Sequence, residues 1–194
     1  MADQTITRAL KDVATVSVAG QVVAPKIVDG VLTRSPVEHV DHRGSVYEIF
    51  NDDPDFWQAP AVYTYQFSVR AGQVKGWGLH ENHEDRYTLI TGEVMAILYD
   101  AREDSPTHGM TQNVYLSAKG TRQLVIPRLV WHLTINLGTD EAVLINYPTE
   151  PYCHENPDRL LLPWNTAVIP VDVTEYFPRQ WGSRRTIDIT DSRC

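Results

Sequence analysis

The chain has little cysteine, no long apolar run and no excess of basic charge, and each absence narrows its class. Two cysteines, Cys153 and Cys194, occur in 194 residues, and they offer neither a disulfide framework nor a zinc-ligand spacing. That usage suits a reducing compartment, so cytoplasmic residence is the expectation. The opening stretch MADQTITRALKDVATVSVAG has no apolar run of signal-peptide length, and no later segment is long enough to span a bilayer. Lys and Arg number 17 against 25 Asp and Glu, a formal charge of -8. Such a surface repels phosphodiester backbones and anionic lipid. Nucleic-acid and membrane partners are therefore not expected, although a local basic pocket for one small phosphorylated ligand remains compatible.

Helical pattern is also scarce, being confined to a short stretch at residues 5–16. What the chain does have is strand. Hydrophobic residues make up 42% and charged residues 22%, enough apolar material for one core. Runs of strand length fall at residues 45–50, 61–69, 87–90, 94–99, 111–116, 123–126, 133–137 and 142–147. Glycines 44, 72, 92, 109, 120 and 138 lie between them, where turns need positive φ. In the run at 94–99, Met95, Ile97 and Tyr99 face one way, and Ala96 and Leu98 the other. An apolar residue on both faces predicts a strand covered twice, by the barrel interior and by another layer or subunit. Many short strands with regular turns read as a β-sandwich or barrel. The coarse division is an N-terminal arm (1–28), a β-barrel domain (29–170) and a C-terminal tail (171–194). The five tryptophans, at 57, 77, 131, 164 and 181, are expected to serve mainly in packing.

The polar residues of interest recur in ordered motifs. Asp41-x-Arg43-Gly44-x-x-x-Glu48 comes first, then Gly78-Leu79-His80, then Asp100-x-Arg102-x-x-Ser105-Pro106-Thr107-x-Gly109. Gln123-Leu-x-Ile126-Pro127 follows with His132 five residues on, then Tyr147, Tyr152 and the pair Trp164-Asn165. Taken together, over about residues 30–166, they resemble the cupin superfamily. Within it they are most similar to the dTDP-4-dehydrorhamnose 3,5-epimerase family of deoxysugar biosynthesis. The resemblance implies an all-β cupin jelly roll, or double-stranded β-helix barrel, assembled as a homodimer that binds a nucleotide sugar without a metal or other cofactor. Carried over position by position, it implies His80 as the base that removes a proton next to the sugar ketone and Tyr147 as the acid that returns one. Arg43 and Glu48 would hold the nucleotide, from this chain or its partner, with His132 and Tyr152 as further substrate contacts. The chemistry is coherent. A neutral imidazole titrates near the working pH, the developing enolate needs donors aimed at its oxygen, and inversion needs a second proton carrier on the opposite face.

Four positions depart from the family pattern. Thr166 stands where an aspartate would pair with the base, which predicts a less basic His80 and slower or single-centre epimerisation, or another keto substrate. Trp77 precedes Gly78 where an arginine would meet the phosphates, with Lys75 nearby as a substitute. The enolate-stabilising lysine falls on Asp85, leaving its neighbour Arg86 as the candidate cation. Leu129 replaces a glycine. Two other readings stay open. General cupins hold a divalent transition metal with histidines and a carboxylate, and His80, His83, Asp85 and His132 could form such a set for Fe, Mn or Zn. A non-catalytic sugar-binding barrel is the other.

Overall fold

The computed structural model of the chain describes residues 14–20 and 27–176. The expected helix at 5–16, and most of the N-terminal arm and C-terminal tail, lie outside these. The strands are β1 (Leu32–Arg34), β2 (His39–Asp41), β3 (Gly44–Val46), β4 (Tyr65–Val69), β5 (Val74–Leu79) and β6 (Asp85–Thr91). They continue as β7 (Glu93–Asp100), β8 (Thr111–Ser117), β9 (Gln123–Ile126), β10 (Val130–Ile135), β11 (Ala142–Asn146) and β12 (Leu160–Leu161). One four-residue α-helix, α1 (Pro54–Trp57), and a 3₁₀ turn at Val173–Tyr176 are the helices among the described residues.

All strand pairings among the described residues are antiparallel. One sheet runs β1-β9-β6-β11-β4 and the other β12-β5-β10-β7-β8, with β2 and β3 forming a separate hairpin. The pairing is nested: β7 with β8, β6 with β9, β5 with β10 and β4 with β11. A long hairpin folded back on itself in this way, with successive strands alternating between two sheets, is a jelly roll. The inner core is apolar and comes from both sheets: Leu89, Leu98, Leu116, Leu124 and Leu144 are buried in one cluster. Met95 and Ile97, on the opposite face of β7, pack under Ile169, Val173, Trp164 and Tyr176. The second cover expected for β7 is thus the C-terminal segment of the same chain. The outer face of the first sheet is covered by α1 and its approach, where Phe56, Trp57 and Phe50 pack with Val125 and Leu32.

The run expected at 45–50 is a strand only to Val46 and then lies over the first sheet, where Gln123 Nε2 donates to the carbonyls of Glu48 and Ile49. A strand the pattern does not mark is β5, whose sequence Val-Lys-Gly-Trp-Gly-Leu reads as a turn. The glycines are there because β10 comes too close for side chains. A Cβ on Gly76 would meet His132 O at 2.6 Å, and one on Gly78 would lie 3.2 Å from His132 Nε2. Gly76 also has φ +110°, which strains any residue with a Cβ.

Candidate active site

Strand alternation delivers the site. On β6, Asp85 and Tyr87 point between the sheets while Arg86 and Thr88 point outward; Tyr87 joins the inner apolar cluster and Thr88 Oγ1 donates outward to Ile49 O. On β10, His132 points inward beneath Gly78, while Trp131 and Leu133 join the outer cluster. On β11 the inward residue at the end is Asn146, and on β4 it is Tyr65, two residues before the core residue Phe67. His80 follows the end of β5. The loop from His80 to Asp85 then folds the imidazoles of His80 and His83 face to face, 4.0 Å between centroids. Residues 80–84 precede the strand, so strand alternation does not separate the two rings.

Asp85 is the hub. Its Oδ2 lies 3.2 Å from His80 Nε2 and 3.3 Å from His132 Nε2, and it accepts a hydrogen bond from the Tyr87 hydroxyl at 2.9 Å. Its Oδ1 accepts from Asn146 Nδ2 at 2.6 Å and lies 3.8 Å from His83 Nε2. Burial alone would push this carboxyl up. The hydrogen bond and charge of His80, with His132 and Asn146, outweigh it and hold Asp85 well below the usual carboxylate range. Burial likewise pulls His80 down, but Asp85 and Asp158 more than offset this and hold it above the ordinary imidazole value. His132, buried beside the same carboxylate and close to His80, is held below that value by burial. His83 is lowered by burial and by the charge of His80.

Asp158 fixes the loop from outside. Its carboxylate accepts from the backbone N–H groups of Glu81, Asn82 and His83 and from His83 Nδ1 at 2.8 Å. Its backbone carbonyl meets His80 Nδ1. A carbonyl can only accept, so Nδ1 carries the hydrogen and Nε2 is left as the nitrogen that exchanges a proton. Burial would raise Asp158, but the N–H bonds of Glu81 and Asn82, with the charges of His83 and His80, outweigh it and lower the carboxyl. The turn at Leu129 closes the arrangement: Leu129 N donates to His80 O at 2.8 Å, with Leu129 itself at φ 60°. The family's glycine at this position is explained by that left-handed backbone, which leucine here adopts under strain.

Two cavities meet at His80. An inner one of about 170 Å³ is lined by Lys75, His80, Asp85, Tyr87 and His132. An outer one of about 300 Å³ is lined by Tyr63, His83, Glu150, Tyr152 and Asp158. Tyr65, His80 and Arg159 border both. Together they fall within the ~300–1,000 Å³ typical of small-molecule sites.

The structure brings His80, His83, Asp85 and His132 together, with Lys75 and Tyr152 at the cavity walls. It does not bring the others. Tyr147 follows the last residue of β11 and faces outward, its ring 4.9 Å from Phe50 and 5.8 Å from Trp57. Its hydroxyl is buried, with no hydrogen-bond partner of good geometry among the described residues, and burial, only partly offset by the nearby Thr88 hydroxyl, raises it to about 12. An acid facing away from His80 through the sheet cannot serve it, so the role implied for Tyr147 is corrected. Arg86 is corrected too. It points outward, and its guanidinium donates to the carbonyls of Trp57, Ala59, Pro60, Tyr147 and Pro148. No donor remains for an enolate. Arg43 lies exposed at the β2–β3 turn, paired with Asp41 at 2.5 Å, and Glu48 accepts from Asn51 at 2.8 Å. Neither lines the His80 cavities of its own chain. Thr166 accepts from Val168 N in a local turn, and the expected loss of basicity at His80 does not follow, because Asp85 supplies the carboxylate from another strand.

Asp158, Tyr65, Asn146 and Arg159 are site residues that no sequence signal marks. Asp158 sits in an ordinary Asn-Pro-Asp turn, and Asn146 and Tyr65 read as inward strand positions without distinction. For a metal, His80, His83 and Asp85 each offer a ligand atom within 4.8 Å of the others. The Asp85 oxygens, however, already receive Tyr87 and Asn146 as donors and face three imidazoles, so an ion would have to displace part of that set.

Residues 25–185 match the profile of the family described as dTDP-4-dehydrorhamnose 3,5-epimerase. The chain belongs to the dTDP-4-dehydrorhamnose 3,5-epimerase family. Among its relatives, it is 32% identical over 149 residues to the probable low-salt glycan biosynthesis epimerase Agl13 of Haloferax volcanii, covering 76% of this chain and 95% of that one. It is 32% identical over 147 residues to the spore coat polysaccharide biosynthesis protein SpsL of Bacillus subtilis, covering 74% and 94%. Among solved structures, a dTDP sugar isomerase from Desulfovibrio desulfuricans superposes with TM-score 0.69 at 24% identity, over 82% of this chain and 95% of that one. ChmJ of Streptomyces bikiniensis, a 3'-monoepimerase solved with dTDP-quinovose, superposes with TM-score 0.66 at 19% identity, over 76% of each chain. These likenesses show the expected cupin jelly roll.

Proposed function

We propose that this epimerase-family chain acts on a nucleotide-linked 4-ketosugar, exchanging the proton on a carbon next to the ketone, with His80 as base. One observation carries the reading. His80 borders both cavities with its Nδ1 tied to a carbonyl and its Nε2 beside a buried carboxylate. The C–H bond breaks toward Nε2, the electron pair moves onto the ketone oxygen, and Asp85 stabilises the imidazolium as it forms. Lys75 and Arg159 are the cations at the cavity walls for the enolate or the phosphates. ChmJ's description as a 3'-monoepimerase solved with dTDP-quinovose, and the glycan and polysaccharide biosynthesis named for Agl13 and SpsL, support a sugar nucleotide as substrate. Arg43 and Glu48 reach a site only if a second copy presents them, which is the reason to propose a homodimer. Cytoplasmic residence fits the reading; among the described residues no helix is long and apolar enough to cross a membrane.

This reading needs no metal. The close approach of His80, His83 and Asp85 favours a second one, a divalent transition-metal enzyme. One preparation separates the two. In deuterated water, with a dTDP-linked 4-keto-6-deoxyhexose, wild type is expected to place deuterium beside the ketone and His80→Asn to lose at least about 10²-fold in that exchange. The same protein is expected to hold far less than one equivalent of Fe, Mn or Zn. Absence of exchange in wild type across a panel of such sugars would end the epimerase reading. Stoichiometric metal, with exchange abolished by a chelator, would favour the second.

A further inference from the structure

Epimerisation at one carbon needs a proton donor facing the base across the substrate, and with Tyr147 turned outward the phenol must come from elsewhere. Four other tyrosines stand near the cavities. Tyr87 is buried and spends its hydroxyl hydrogen on Asp85. Tyr63 and Tyr152 line only the outer cavity. Tyr65 borders both cavities alongside His80, and it leaves from β4 in one sheet while His80 follows β5 in the other. Its oxygen accepts a hydrogen bond from Asn146 Nδ2 at 2.9 Å, so its own hydrogen is left to point into the cavity. Asn146 Nδ2 also donates to Asp85 Oδ1 at 2.6 Å, and Asp85 Oδ2 meets His80 Nε2 at 3.2 Å. One asparagine therefore ties the phenol to the carboxylate that holds the base, three short contacts in all.

We propose that Tyr65 is the catalytic acid, giving its phenolic proton to the substrate carbon from the β4 side while His80 removes one from the β5 side. This rests on the epimerase reading above. The O–H bond of Tyr65 breaks and a C–H bond forms on the face opposite the one that lost its proton. The electron pair on the enolate oxygen returns to the carbon, and the ketone is restored. The phenolate keeps its hydrogen bond from Asn146, then takes a proton from water at the open cavity mouth, and His80 gives its proton back to water. No net electrons or protons are consumed. Burial, aided by the Asp85 charge, pushes Tyr65 up to about 12, so it holds its proton at neutral pH as an acid must.

Tyr65→Phe, assayed with a dTDP-linked 4-keto-6-deoxyhexose in deuterated water, separates the two half-reactions. Deuterium exchange beside the ketone is expected to stay within about threefold of wild type, while the epimerised sugar falls at least about 10²-fold. Unchanged epimer formation in Tyr65→Phe overturns the assignment. So does equal loss of exchange and epimer in a variant whose circular dichroism matches wild type. Wild type without exchange fails the epimerase reading itself, a distinguishable result. As a check that keeps the fold and the hydroxyl, fluorotyrosine at position 65 is expected to change the rate of epimer formation while deuterium exchange stays as in wild type. An unchanged rate of epimer formation counts against Tyr65.

Discussion

Asp85 and Arg86 are consecutive, opposite in charge and both fully buried, yet they do not pair. The strand sends one inward and the other outward. Asp85 meets three imidazoles and a phenol, groups that exchange protons and line the cavities, and one amide. Arg86 meets five backbone carbonyls and no cavity, clamping residues 57–60 and 147–148 onto the sheet. Both charges are satisfied by hydrogen bonds, as buried charges must be. Burial of a charge therefore does not by itself mark function. What distinguishes the two is whether the partners can change protonation and whether a ligand can reach them.

Substitutions sharpen this contrast. Arg86→Met leaves five carbonyls without their donor, and is expected to lower stability by roughly 3–5 kcal/mol in urea unfolding while the folded fraction keeps its exchange activity within a few-fold. Loss of activity with stability intact would put Arg86 in the site after all. Asp85→Asn is expected to lose exchange activity at neutral pH even in its folded fraction, and its cost in stability is pH-dependent. Asp85 has a depressed folded value, so its contribution is present above its unfolded pKa of about 3.9 and fades as pH falls toward the folded one. His80 has a raised folded value, so its contribution is full below about 6.5 and fades as pH rises through the folded one. The pair thus stabilises most between about pH 4 and 6.5, and urea midpoints from pH 3 to 9 should show both limbs flattened in Asp85→Asn. Equal slopes in the two proteins would mean that the pair carries no linkage. The smallest effect is at Leu129. Glycine there removes left-handed strain, and is expected to raise stability by up to about 1 kcal/mol without moving the pH profile, by the same denaturation.

The legible parts of the fold were those governed by alternation. Met95 and Ile97 against Ala96 and Leu98 announce two covered faces, and both are found. The strand β5 was not legible, because Gly76 and Gly78 look like a turn until His132 and Leu133 are seen pressing against them. In the site, His80, His83, Asp85 and His132 stood out by residue type. Tyr147 matched its family position by order and spacing, but facing depends on which neighbour ends the strand: Asn146 takes the inward place and Tyr147 the outward one. Asp158 and Tyr65 carry no local signature, since their roles come from contacts made 75 or more residues away.

Composition, strand period and motif order were enough to determine an acidic, all-β barrel of an epimerase family with an imidazole at its mouth, because these depend on local pattern and on residue identity. Which carboxylate serves His80, which phenol faces it and which buried charge is only a clamp were decided by the packing of distant strands. A side chain's partners are set by the sheet register, and neither spacing nor propensity along the chain encodes that register across 60 to 80 residues.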